Sequence, residues 1–530
     1  MFFCRILNSN LVTIVAEERS RTMWKAALLI GFFLAEGWSK ECVPRSFGHN
    51  KIVCVCNSTY CDTTPDADPK VPPNGRFYWY VSTKDGERLS LKEKEFGDAH
   101  SNLFTLTLTV DRTVRYQKIL GFGGAFTDSA GMHITSLSNA TQDQLMRAYF
   151  DTKEGSGYML GRVPIGSSDF STRVYTYDDT QDDDTLEHFS LAQEDYQYKL
   201  PLMRKAHELN PEVKFFSAAW SPPRWMKTND EINGFGFLDR KYYDVYSNYL
   251  VKFLDEYRKN GVNIWGISTG NEPINAFIPF DKLNSLGWTP PTVSEWVGEH
   301  FGPILEASDH NDTIIMGLDD QRIFLPWFAK NAYPRHNMSK YIAGTAVHYY
   351  ADALAPAGLL DLTHEAFPDK FILMTEACTG TVPALRHVDL GSWDRGETYI
   401  LSILEYLNHW SVGWVDWNLA LDKSGGPNWI NNFVDSPIIV NSTSDEFYKQ
   451  PMYYALKHVS RFVVRGSVRV SMTDDVMVKS AAFVTPSNET VIVLYNKWSI
   501  PRNVVIKDTK KGPIHLELPA QSMNTIIYGQ

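Results

Sequence analysis

Residues Ile264–Pro273 read IWGISTGNEP, and this stretch shows how the chain is built. The apolar run Ile264–Ile267 is typical of a buried parallel strand, and it leads through small polar residues to Glu272, held beside Pro273. Seven other segments combine an apolar run with polar residues at its end. The eight predicted strands are Ile119–Gly123, Gly157–Ile165, Val213–Ala219, Ile264–Thr269, Thr313–Leu318, Gly344–His348, Phe371–Thr375 and Gly413–Trp417.

Helical patterns follow these strands. The clearest one lies between the third and fourth strands, where aromatic residues repeat at helical spacing from Tyr242 to Tyr257 and Asn260–Gly261 ends the pattern. Eight β-then-α units predict a closed TIM barrel. A doubly wound sheet is the alternative, but the number of units over this length favours closure.

The two ends of the chain have a different, β-rich pattern. Near the N-terminus, Arg76–Val81 alternates and meets a turn signal at Asp85–Gly86, and Leu103–Val110 alternates as well. After about Ser467, short strands are predicted at Val476–Val484, Val491–Tyr495, Val504–Lys507 and Asn524–Tyr528. The simplest arrangement is an accessory β-sandwich built from both termini.

Composition limits the class of partner. The chain has 530 residues with a net charge of −11, and it is rich in aromatic residues, with 15 Trp, 26 Tyr and 29 Phe. A nucleic-acid partner is excluded because phosphate binding needs a basic surface. This charge suits a neutral or cationic ligand, or an acidic compartment.

The N-terminal region, residues 1–39, resembles a secretory signal. Lys25 precedes the short apolar run Ala26–Ala35, and either residue 1 or Met23 is the start. A membrane anchor is the alternative, but the run is too short to span a bilayer.

The cysteines and sequons agree with secretion. Cys42, Cys54, Cys56 and Cys61 cluster after the signal and predict two disulfides with three open pairings; a zinc site is the rival interpretation. Cys378 is left as a buried thiol. Glycosylation sequons stand at Asn57, Asn139, Asn311, Asn337, Asn441 and Asn488.

In a TIM barrel, functional residues lie at the C-terminal ends of the strands. In strand order these ends carry Asp128; Arg162 and Asp169; Trp220; Asn271 and Glu272; Asp319 and Asp320; His348, Tyr349 and Tyr350; Glu376; and Asp416, Trp417 and Asn418. Carboxylates and aromatic rings together suit a sugar, whose C–H faces stack on rings and whose hydroxyls need fixed hydrogen-bond partners.

Other chemistries lack their residues in this ring. It has no His, Cys and Asp cluster at metal spacing and no Gly-x-Ser-x-Gly elbow, so we expect neither a metal nor another cofactor. The run Gly121–Gly124 lacks the remaining residues of a phosphate loop and is interpreted as a tight turn that lets backbones pack.

Glycoside hydrolysis needs two carboxyl groups on either side of the scissile bond. Strands four and seven face each other across an eight-stranded barrel, so Glu272 and Glu376 can meet over its mouth. Asn271 can reach the 2-hydroxyl of the sugar. Pro273 is expected to hold Glu272 in extended geometry.

Several long runs resemble glycoside hydrolase family 30. They are GFGGAFTD from Gly121, RVPIGSSDFSTRVYTYDDT from Arg162, TGNEP from Thr269, TEAC from Thr375, DWNLALD from Asp416, GGPNW from Gly425 and NFVDSPIIV from Asn432. The resemblance covers nearly everything from Cys42 to the C-terminus. It implies a retaining β-glucosidase that hydrolyses glucosylceramide through a covalent glucosyl-enzyme. A retaining β-xylosidase or β-fucosidase, and an inactive sugar-binding relative, are the alternatives.

The resemblance also implies roles for individual residues. Glu272 is the acid/base and Glu376 the nucleophile; Arg162 and His348 support the nucleophile. The glucose-holding and pocket-wall residues are Asp169, Phe170, Trp220, Asn271, Tyr349, Tyr350, Trp417 and Asn432. The implied disulfides are Cys42–Cys54 and Cys56–Cys61. One position departs from the family pattern: Gly270 stands where a close relative has Glu.

The resulting division of the chain has four parts. We expect a signal region at 1–39, a small disulfide-bearing sheet at 40–67 completed by about 419–450, a β-sandwich at 68–116 completed by about 467–530, and the barrel at 117–466. The implied location is the lysosome, peripheral to its membrane. The implied partners are glucosylceramide in a membrane surface, anionic lipid, a saposin-type activator and a lysosomal membrane sorting receptor.

Apolar residues in the loops after strands four and six suggest how the enzyme meets that membrane. They are Phe277, Ile278, Phe280, Leu286, Trp288, Leu354 and Leu359. As a group around one opening they predict shallow insertion into the bilayer surface.

Overall fold

A computed structural model describes residues 40–65, 67, 70–97, 105–278, 281–381 and 386–529. The predicted signal region 1–39 and Phe280 lie outside the described residues. Among the helices that are described, none is both long and apolar enough to cross a bilayer.

The N-terminal strands belong to two sheets. A small sheet contains β1 (Pro44–Ser46) and β2 (Ile52–Asn57), while a larger sheet contains β3 (Arg76–Thr83), β4 (Ser90–Glu95) and β5 (Leu106–Lys118). The predicted hairpin is the β3–β4 pair, and Asp85–Gly86 lies in its connection.

The middle of the chain forms the predicted barrel. Its eight parallel strands are β6 (Gly121–Ala125), β7 (Leu160–Ile165), β8 (Lys214–Ala219), β9 (Ile264–Ser268), β10 (Ile314–Gln321), β11 (Ile342–His348), β12 (Phe371–Glu376) and β13 (Ser411–Asn418). Strand β13 pairs with β6, with Trp414 opposite Phe122, and so closes the barrel. All eight predicted strands are confirmed, with boundaries that differ by a few residues.

The sequence suggested that the glycine-rich run Gly121–Gly124 is a tight turn, but in the structure it is part of strand β6. A Cβ atom on Gly123 would lie 1.8 Å from the carbonyl oxygen of Leu160, and one on Gly413 would lie 2.1 Å from that of Gly121. Glycine is therefore required for close approach of neighbouring strands, which is the packing role expected of the run.

Helices surround the barrel strands. They are α1 (Asp128–Thr135), α2 (Asn139–Phe150), α3 (Leu200–Leu209), α4 (Tyr243–Lys259), α5 (Pro290–Glu295), α6 (Gly302–Ala307), α7 (Trp327–Ala332), α8 (Gly358–Ala366), α9 (Trp393–Asn408) and α10 (Pro451–Ser460). Helix α4 is the predicted aromatic helix. It buries Tyr246, Tyr249, Phe253 and Tyr257 and ends at Asn260.

The C-terminal strands complete both accessory sheets. Strands β14 (Ile438–Asn441) and β15 (Glu446–Lys449) join the small sheet; β16 (Val468–Met472), β17 (Val478–Val484), β18 (Thr490–Asn496), β19 (Arg502–Asp508), β20 (Ile514–Leu518) and β21 (Ser522–Tyr528) join the larger one. The larger sheet has nine strands from both ends of the chain, as predicted. Its apolar core includes Phe77, Leu108 and Ile492.

Buried polar contacts join the accessory sheets to the rest of the chain. His458 on α10 bonds Ser82 of β3 and Thr525 of β21. In the small sheet, the Lys449 ammonium lies 2.6 Å from Asp62, and both side chains are buried.

The disulfides are Cys42–Cys54 and Cys56–Cys61, and Cys378 is a free buried thiol.

Candidate active site

A cavity of about 300 Å³ opens at the C-terminal ends of the barrel strands. Strands on all sides contribute to it, together with the segment after β13. Its lining consists of Asp169, Trp220, Asn271, Glu272, Leu283, Gln321, Tyr350, Glu376, Cys378, Thr381, Trp417, Asn432 and Val434. The structure thus brings eight of the sequence-predicted site residues around one opening.

Glu376 is the last residue of β12, and two neighbours orient its carboxylate. The guanidinium of Arg162 on β7 donates to one oxygen, and the Tyr350 hydroxyl donates to the other at 2.8 Å. Arg162 is fully buried and bonds Asn271 at 2.8 Å and Asp319 at 2.9 Å as well. A single buried cation therefore ties together the ends of four strands.

Glu272 follows β9, and three side chains hold its carboxylate. Gln321 donates to one oxygen at 2.6 Å and His348 contacts the same oxygen at 2.9 Å, while Asn275 donates to the other at 2.9 Å. These contacts leave Glu272 at the cavity wall, facing Glu376. An oxygen of each carboxylate lies within 4.8 Å of the other residue's.

The backbone of Glu272 is not extended, as its proline neighbour had suggested. Its φ of +42° and ψ of +63° lie in the left-handed region. Hydrogen bonds on both sides of the residue override the local preference: the Glu272 amide donates to the Asp319 carbonyl on β10 at 2.9 Å, and the Asn275 amide donates to the Glu272 carbonyl at 2.9 Å within the turn that follows.

His348 lies between the carboxylates of Glu272 and Asp319 and carries a positive charge. Its ring nitrogens contact Glu272 at 2.9 Å and Asp319 at 3.0 Å. Burial lowers the pKa of His348, but Glu376, Asp319 and Glu272 outweigh it and raise the pKa to about 10. The ring is thus an imidazolium that donates from both nitrogens.

The two facing carboxyl groups have pKa values shifted in opposite directions. Burial raises the pKa of Glu272, but the bond and the charge of His348 outweigh it, so the net pKa lies below its usual value. Burial also raises the pKa of Glu376, and here Arg162 and His348 only partly oppose it, so the net pKa is above its usual value. Glu272 therefore loses its proton before Glu376 does as pH rises, and the two groups titrate as a pair.

The far side of the cavity has the features of a sugar site. Asp169 accepts hydrogen bonds from Asn432 at 3.0 Å and Asn428 at 3.4 Å, and burial raises its pKa to about 7. The rings of Trp220 and Trp417 stack at 5.3 Å, and both line the cavity. Hydrogen-bonding groups and aromatic faces thus meet at one end.

Other predicted residues lie outside the lining. Phe170 packs edge-on against Trp417 at 6.1 Å, and the Tyr349 hydroxyl donates to the Cys378 carbonyl. Three polar strand ends are also engaged elsewhere, since Asp128 bonds Ser171 and Tyr175, Asp416 accepts from Tyr399, and Asn418 accepts from Thr127. These side chains shape the walls from behind.

Some lining residues were not singled out as site residues from the sequence. They are Leu283, Gln321, Cys378, Thr381 and Val434. Gln321 had the clearest available signal, because it directly follows Asp319–Asp320 at the end of the fifth strand. Cys378 had one too, two residues after Glu376.

Gly270, the departure from the family pattern, has a φ of +131°. This region favours glycine, so a side chain would be strained there although a Cβ would meet only ordinary contacts, the nearest at 3.6 Å. The Trp288 indole donates to the neighbouring Thr269 carbonyl at 2.9 Å and covers this segment.

The loops around the mouth correct part of the predicted membrane surface. Trp288 is only 5% exposed and stacks on Trp296 at 5.1 Å, while Leu286 is 2% exposed. Both belong to the core, because the second half of the loop after β9 folds back over α4 and the helical segment that follows α5. Leu359 is partly buried against the core as well.

Other apolar residues at the mouth are exposed. Phe277 and Ile278 are exposed, and Leu354 is 78% exposed. Phe277 packs with Phe235 at 5.8 Å and Phe237 at 5.4 Å, and Phe235 is 68% exposed. We call Phe235, Phe237, Phe277 and Ile278 the aromatic patch.

Comparisons with known proteins agree with this geometry. Residues 119–463 match the glycosyl hydrolase family 30 TIM-barrel domain, and residues 466–526 match the family's β-sandwich domain. The chain is 41% identical to the lysosomal acid glucosylceramidase of Mus musculus over 517 residues, which cover 95% of this chain and 99% of the mouse protein.

Two solved structures resemble it as well. SrfJ from Salmonella typhimurium has a TM-score of 0.79 at 28% identity, covering 86% of this chain and all of SrfJ. An endo-β1,6-glucanase has a TM-score of 0.77 at 26% identity over 86% of this chain and all of its own. Since both domains of the family match along most of the chain, and the carboxylates of β9 and β12 face each other across the cavity, this protein belongs to glycoside hydrolase family 30.

Proposed function

We propose that the protein is a retaining β-glucosidase that hydrolyses glucosylceramide to glucose and ceramide. The observation that carries the mechanism is the carboxylate oxygens of Glu272 and Glu376 within 4.8 Å of one another. Retaining glycosidases place their carboxyl groups about 5–5.5 Å apart, whereas inverting enzymes leave about 6.5–9.5 Å for a water molecule. The substrate assignment is supported by the likeness to the mouse lysosomal acid glucosylceramidase.

In the first step, Glu376 attacks the anomeric carbon and Glu272 protonates the departing glycosidic oxygen. The bonds from Arg162 and Tyr350 hold the Glu376 carboxylate in place and favour its ionised form. The C–O bond to the aglycone breaks as the glucosyl–Glu376 ester forms, and ceramide leaves with the proton of Glu272.

In the second step, Glu272 is ionised and takes a proton from water. The water attacks the anomeric carbon, the ester bond to Glu376 breaks, and β-glucose leaves. The imidazolium of His348 stabilises the Glu272 carboxylate through its 2.9 Å contact at this stage. Two inversions give net retention.

Glucose recognition falls to the groups at the far side of the cavity. Asp169 is oriented by Asn432 and can accept from sugar hydroxyls. The Asn271 oxygen accepts from Arg162, so its amide nitrogen remains to donate to the 2-hydroxyl. Trp220 and Trp417 offer apolar faces to the C–H side of the ring.

The substrate's lipid requires the mouth to meet a membrane surface. The aromatic patch and Leu354 lie in loops after β8, β9 and β11, at the same end of the barrel as the cavity. With a net charge of −11, binding to anionic lipid is repelled at neutral pH and eased as carboxylates and histidines take up protons. We therefore include anionic lipid and a small saposin-type activator as partners.

The lysosome is the compartment that fits this chemistry. A net-lowered pKa at Glu272 keeps the acid protonated only at low pH. The predicted signal region, the disulfides and the sequons fit passage through the secretory pathway, and a lysosomal membrane sorting receptor completes the route. Among the sequons, Asn139, Asn311, Asn337 and Asn488 are exposed, while Asn57 and Asn441 are half-buried.

The test combines two variants with two substrates. Glu376→Gln should abolish turnover of both liposomal glucosylceramide and an activated aryl β-glucoside, because no nucleophile remains. Glu272→Gln should impair the lipid far more than the activated substrate, and azide should restore activity on the latter by replacing the activated water. Equal losses on both substrates, or no azide rescue, would contradict these roles.

Stereochemistry and substrate class are tested directly. Proton NMR should show β-glucose as the first product; α-glucose would overturn the retaining mechanism. A kcat/KM higher on an aryl β-xyloside or β-fucoside than on the β-glucoside would favour the alternative retaining activity. Absence of turnover on every glycoside would favour an inactive sugar-binding relative.

A further inference from the structure

The acid/base lies on a strained backbone segment. Glu272 has left-handed dihedral angles, which are strained for a non-glycine residue. Asp319, on the adjacent strand β10, also has a positive φ, of +54°. Two strained strand ends are thus held against each other beside the cavity, and the contacts between them decide where the Glu272 carboxyl points.

A side chain of β10 links these two ends. One carboxylate oxygen of Asp320 accepts the Ile274 amide at 3.0 Å, two residues after Glu272. The other oxygen accepts the Gln321 amide at 2.7 Å, and the Gln321 side chain donates to Glu272 at 2.6 Å. Asp320 therefore fixes both the backbone after the acid/base and the residue that holds its carboxylate.

Asp320 is not placed as an ordinary surface aspartate. It is only 1% exposed, and its two oxygens use the backbone amides as partners. Its surroundings on the outer side are apolar, since a second cavity of about 310 Å³ behind the Glu272 segment is lined by Ile274, Phe277, Phe324 and Trp327 together with Asp320. Burying a carboxyl group there is costly unless it is hydrogen-bonded, so the two backbone amides are what hold Asp320 in this position.

We propose that Asp320 is the positioning residue of the acid/base: it clamps the strained segment after Glu272 to strand β10 and places a second carboxyl group beside it. This inference rests on the proposed role of Glu272 as proton donor to the leaving group. Asp320 does not touch the substrate, as it is absent from the cavity lining, and it acts through Ile274 and Gln321.

The protonation state of Asp320 differs from that of Glu272. Burial, and then the neighbouring Glu272, raise the pKa of Asp320 to about 7. The pKa of Glu272 lies below its usual value, so Asp320 is still protonated where Glu272 titrates, and Asp320→Asn should leave the Glu272 pKa nearly unchanged. The other charged or titratable groups facing this pair are Asp319 on β10, His348 on β11, Glu376 on β12, Arg162 on β7 and Asp169 after β7.

Two variants remove the amide acceptors in steps. Asp320→Ala removes both of them, whereas Asp320→Asn replaces one carboxyl oxygen by an amide nitrogen and keeps the other oxygen for the Ile274 amide. Positioned general acids contribute about 10²–10⁴-fold, so Asp320→Ala should lose roughly tenfold or more in kcat on an alkyl β-glucoside and under about threefold on an activated aryl β-glucoside. Asp320→Asn should show a smaller leaving-group effect.

The pH profile supplies the second measurement. In Asp320→Asn the acidic limb of kcat/KM, which Glu272 sets, should stay near that of wild type, because Asp320 is protonated where Glu272 titrates. In Asp320→Ala the Glu272 carboxyl group is released from its position beside the His348 imidazolium, so the Glu272 pKa should rise and the acidic limb should move to higher pH. Asp320→Asn is nearly isosteric, so its leaving-group effect remains testable if Asp320→Ala does not fold. Equal losses of either variant on the two substrates, or an unshifted acidic limb in Asp320→Ala, would overturn the proposal.

A matched control and an independent check complete the design. Asp475, in the connection between β16 and β17, also accepts hydrogen bonds from two backbone amides, those of Met477 at 2.8 Å and Val478 at 3.2 Å. Because this connection belongs to the nine-stranded sheet and not to the cavity, Asp475→Asn should leave both the leaving-group ratio and the pH profile unchanged. Glu272→Gln tests the proposed function separately. If it shows azide rescue while Asp320→Ala loses equally on both substrates, only the positioning role fails.

Discussion

Replacing Arg162 by Met should damage stability and the nucleophile together. Arg162 is fully buried and bonds the carboxylates of Glu376 and Asp319, whose side chains are nearly as buried. Removing one partner of such a buried pair costs about 3–5 kcal/mol because the remaining charge is left uncompensated. For a cooperative unit of roughly 490 residues, with an unfolding entropy of about 1 kcal/mol per kelvin, Tm should fall by about 3–5 °C.

The sign of the pH dependence follows from the same contacts. Burial disfavours a charged Asp319, but Arg162 and His348 outweigh it, so its pKa lies well below the usual value. A depressed carboxyl pKa stabilises the fold above the unfolded-state value, and that contribution is lost as pH falls through the folded-state value. Without Arg162 the pKa values of Asp319 and Glu376 rise. The Tm difference between wild type and Arg162→Met should therefore be larger at pH 7 than at pH 5.

The pH dependence of activity should change as well. Because Glu272 titrates below and Glu376 above the usual Glu value, Glu272 sets the acidic limb of kcat/KM and Glu376 sets the alkaline limb. A higher pKa for Glu376 should therefore move the alkaline limb to higher pH and lower the maximum of the profile. The acidic limb should move less, since Arg162 is bonded to Glu376 and only near Glu272. Arg162→Lys should fall between wild type and Arg162→Met, because an ammonium keeps the charge but cannot bridge three partners.

The control for this experiment is Arg112→Met. Arg112 forms a similarly buried ion pair with Asp508 in the nine-stranded sheet, at 3.2 Å. The Arg112→Met variant should lower Tm by a similar amount without moving either limb of the kcat/KM profile. An Arg162→Met variant that keeps the wild-type alkaline limb, or loses under about 1 °C in Tm, would refute the reasoning.

Two further expectations concern pH and the membrane. The profile of kcat/KM on a soluble aryl β-glucoside should be a bell whose acidic limb lies below the ordinary Glu pKa and whose alkaline limb lies above it, because the pKa of Glu272 lies below and that of Glu376 above its usual value. An acidic limb above the ordinary Glu pKa of about 4.3 would contradict this. The double variant Phe235→Ser with Phe277→Ser should weaken vesicle binding and activity on liposomal glucosylceramide but spare activity on the soluble substrate. Trp288→Ser changes the core at a cost of about 3–5 kcal/mol, so it should reduce both activities and Tm. Equal losses of the two activities in the double variant would disprove the interfacial role of the aromatic patch.

The barrel was predictable because its strands are buried on both faces. Continuous apolar runs such as Val163–Ile165 and Ile264–Ile267 have no exposed side to interrupt them, so their number and order can be read from the chain. The placement of Glu272 opposite Glu376 then follows from barrel closure alone. No side-chain detail is needed for that step, since the fourth and seventh strands are three strands apart around the closed barrel, which puts their ends on different sides of its mouth.

The direction of loop side chains was not predictable in this way. Phe277 and Trp288 are both large apolar residues in one loop after β9, and nothing in their spacing distinguishes them. The exposed fraction of each depends on how the loop returns: Trp288 stacks on Trp296 and packs against Tyr243 of α4, while Phe277 packs with Phe235 and Phe237. Most of these contacts join residues far apart in the chain, which a local pattern cannot rank.

The conformation of Glu272 shows how far a local rule reaches. The residue before a proline prefers extended geometry, yet Glu272 is left-handed. Hydrogen bonds from the backbone amides of Glu272 and Ile274 to Asp319 and Asp320 outweigh a preference of about 1–2 kcal/mol. An extended Glu272 would carry its carboxyl group away from Gln321, Asn275 and His348, all of which contact it. The strained conformation thus directs the Glu272 carboxyl group towards Glu376, and it persists because the adjacent strand β10 holds the segment.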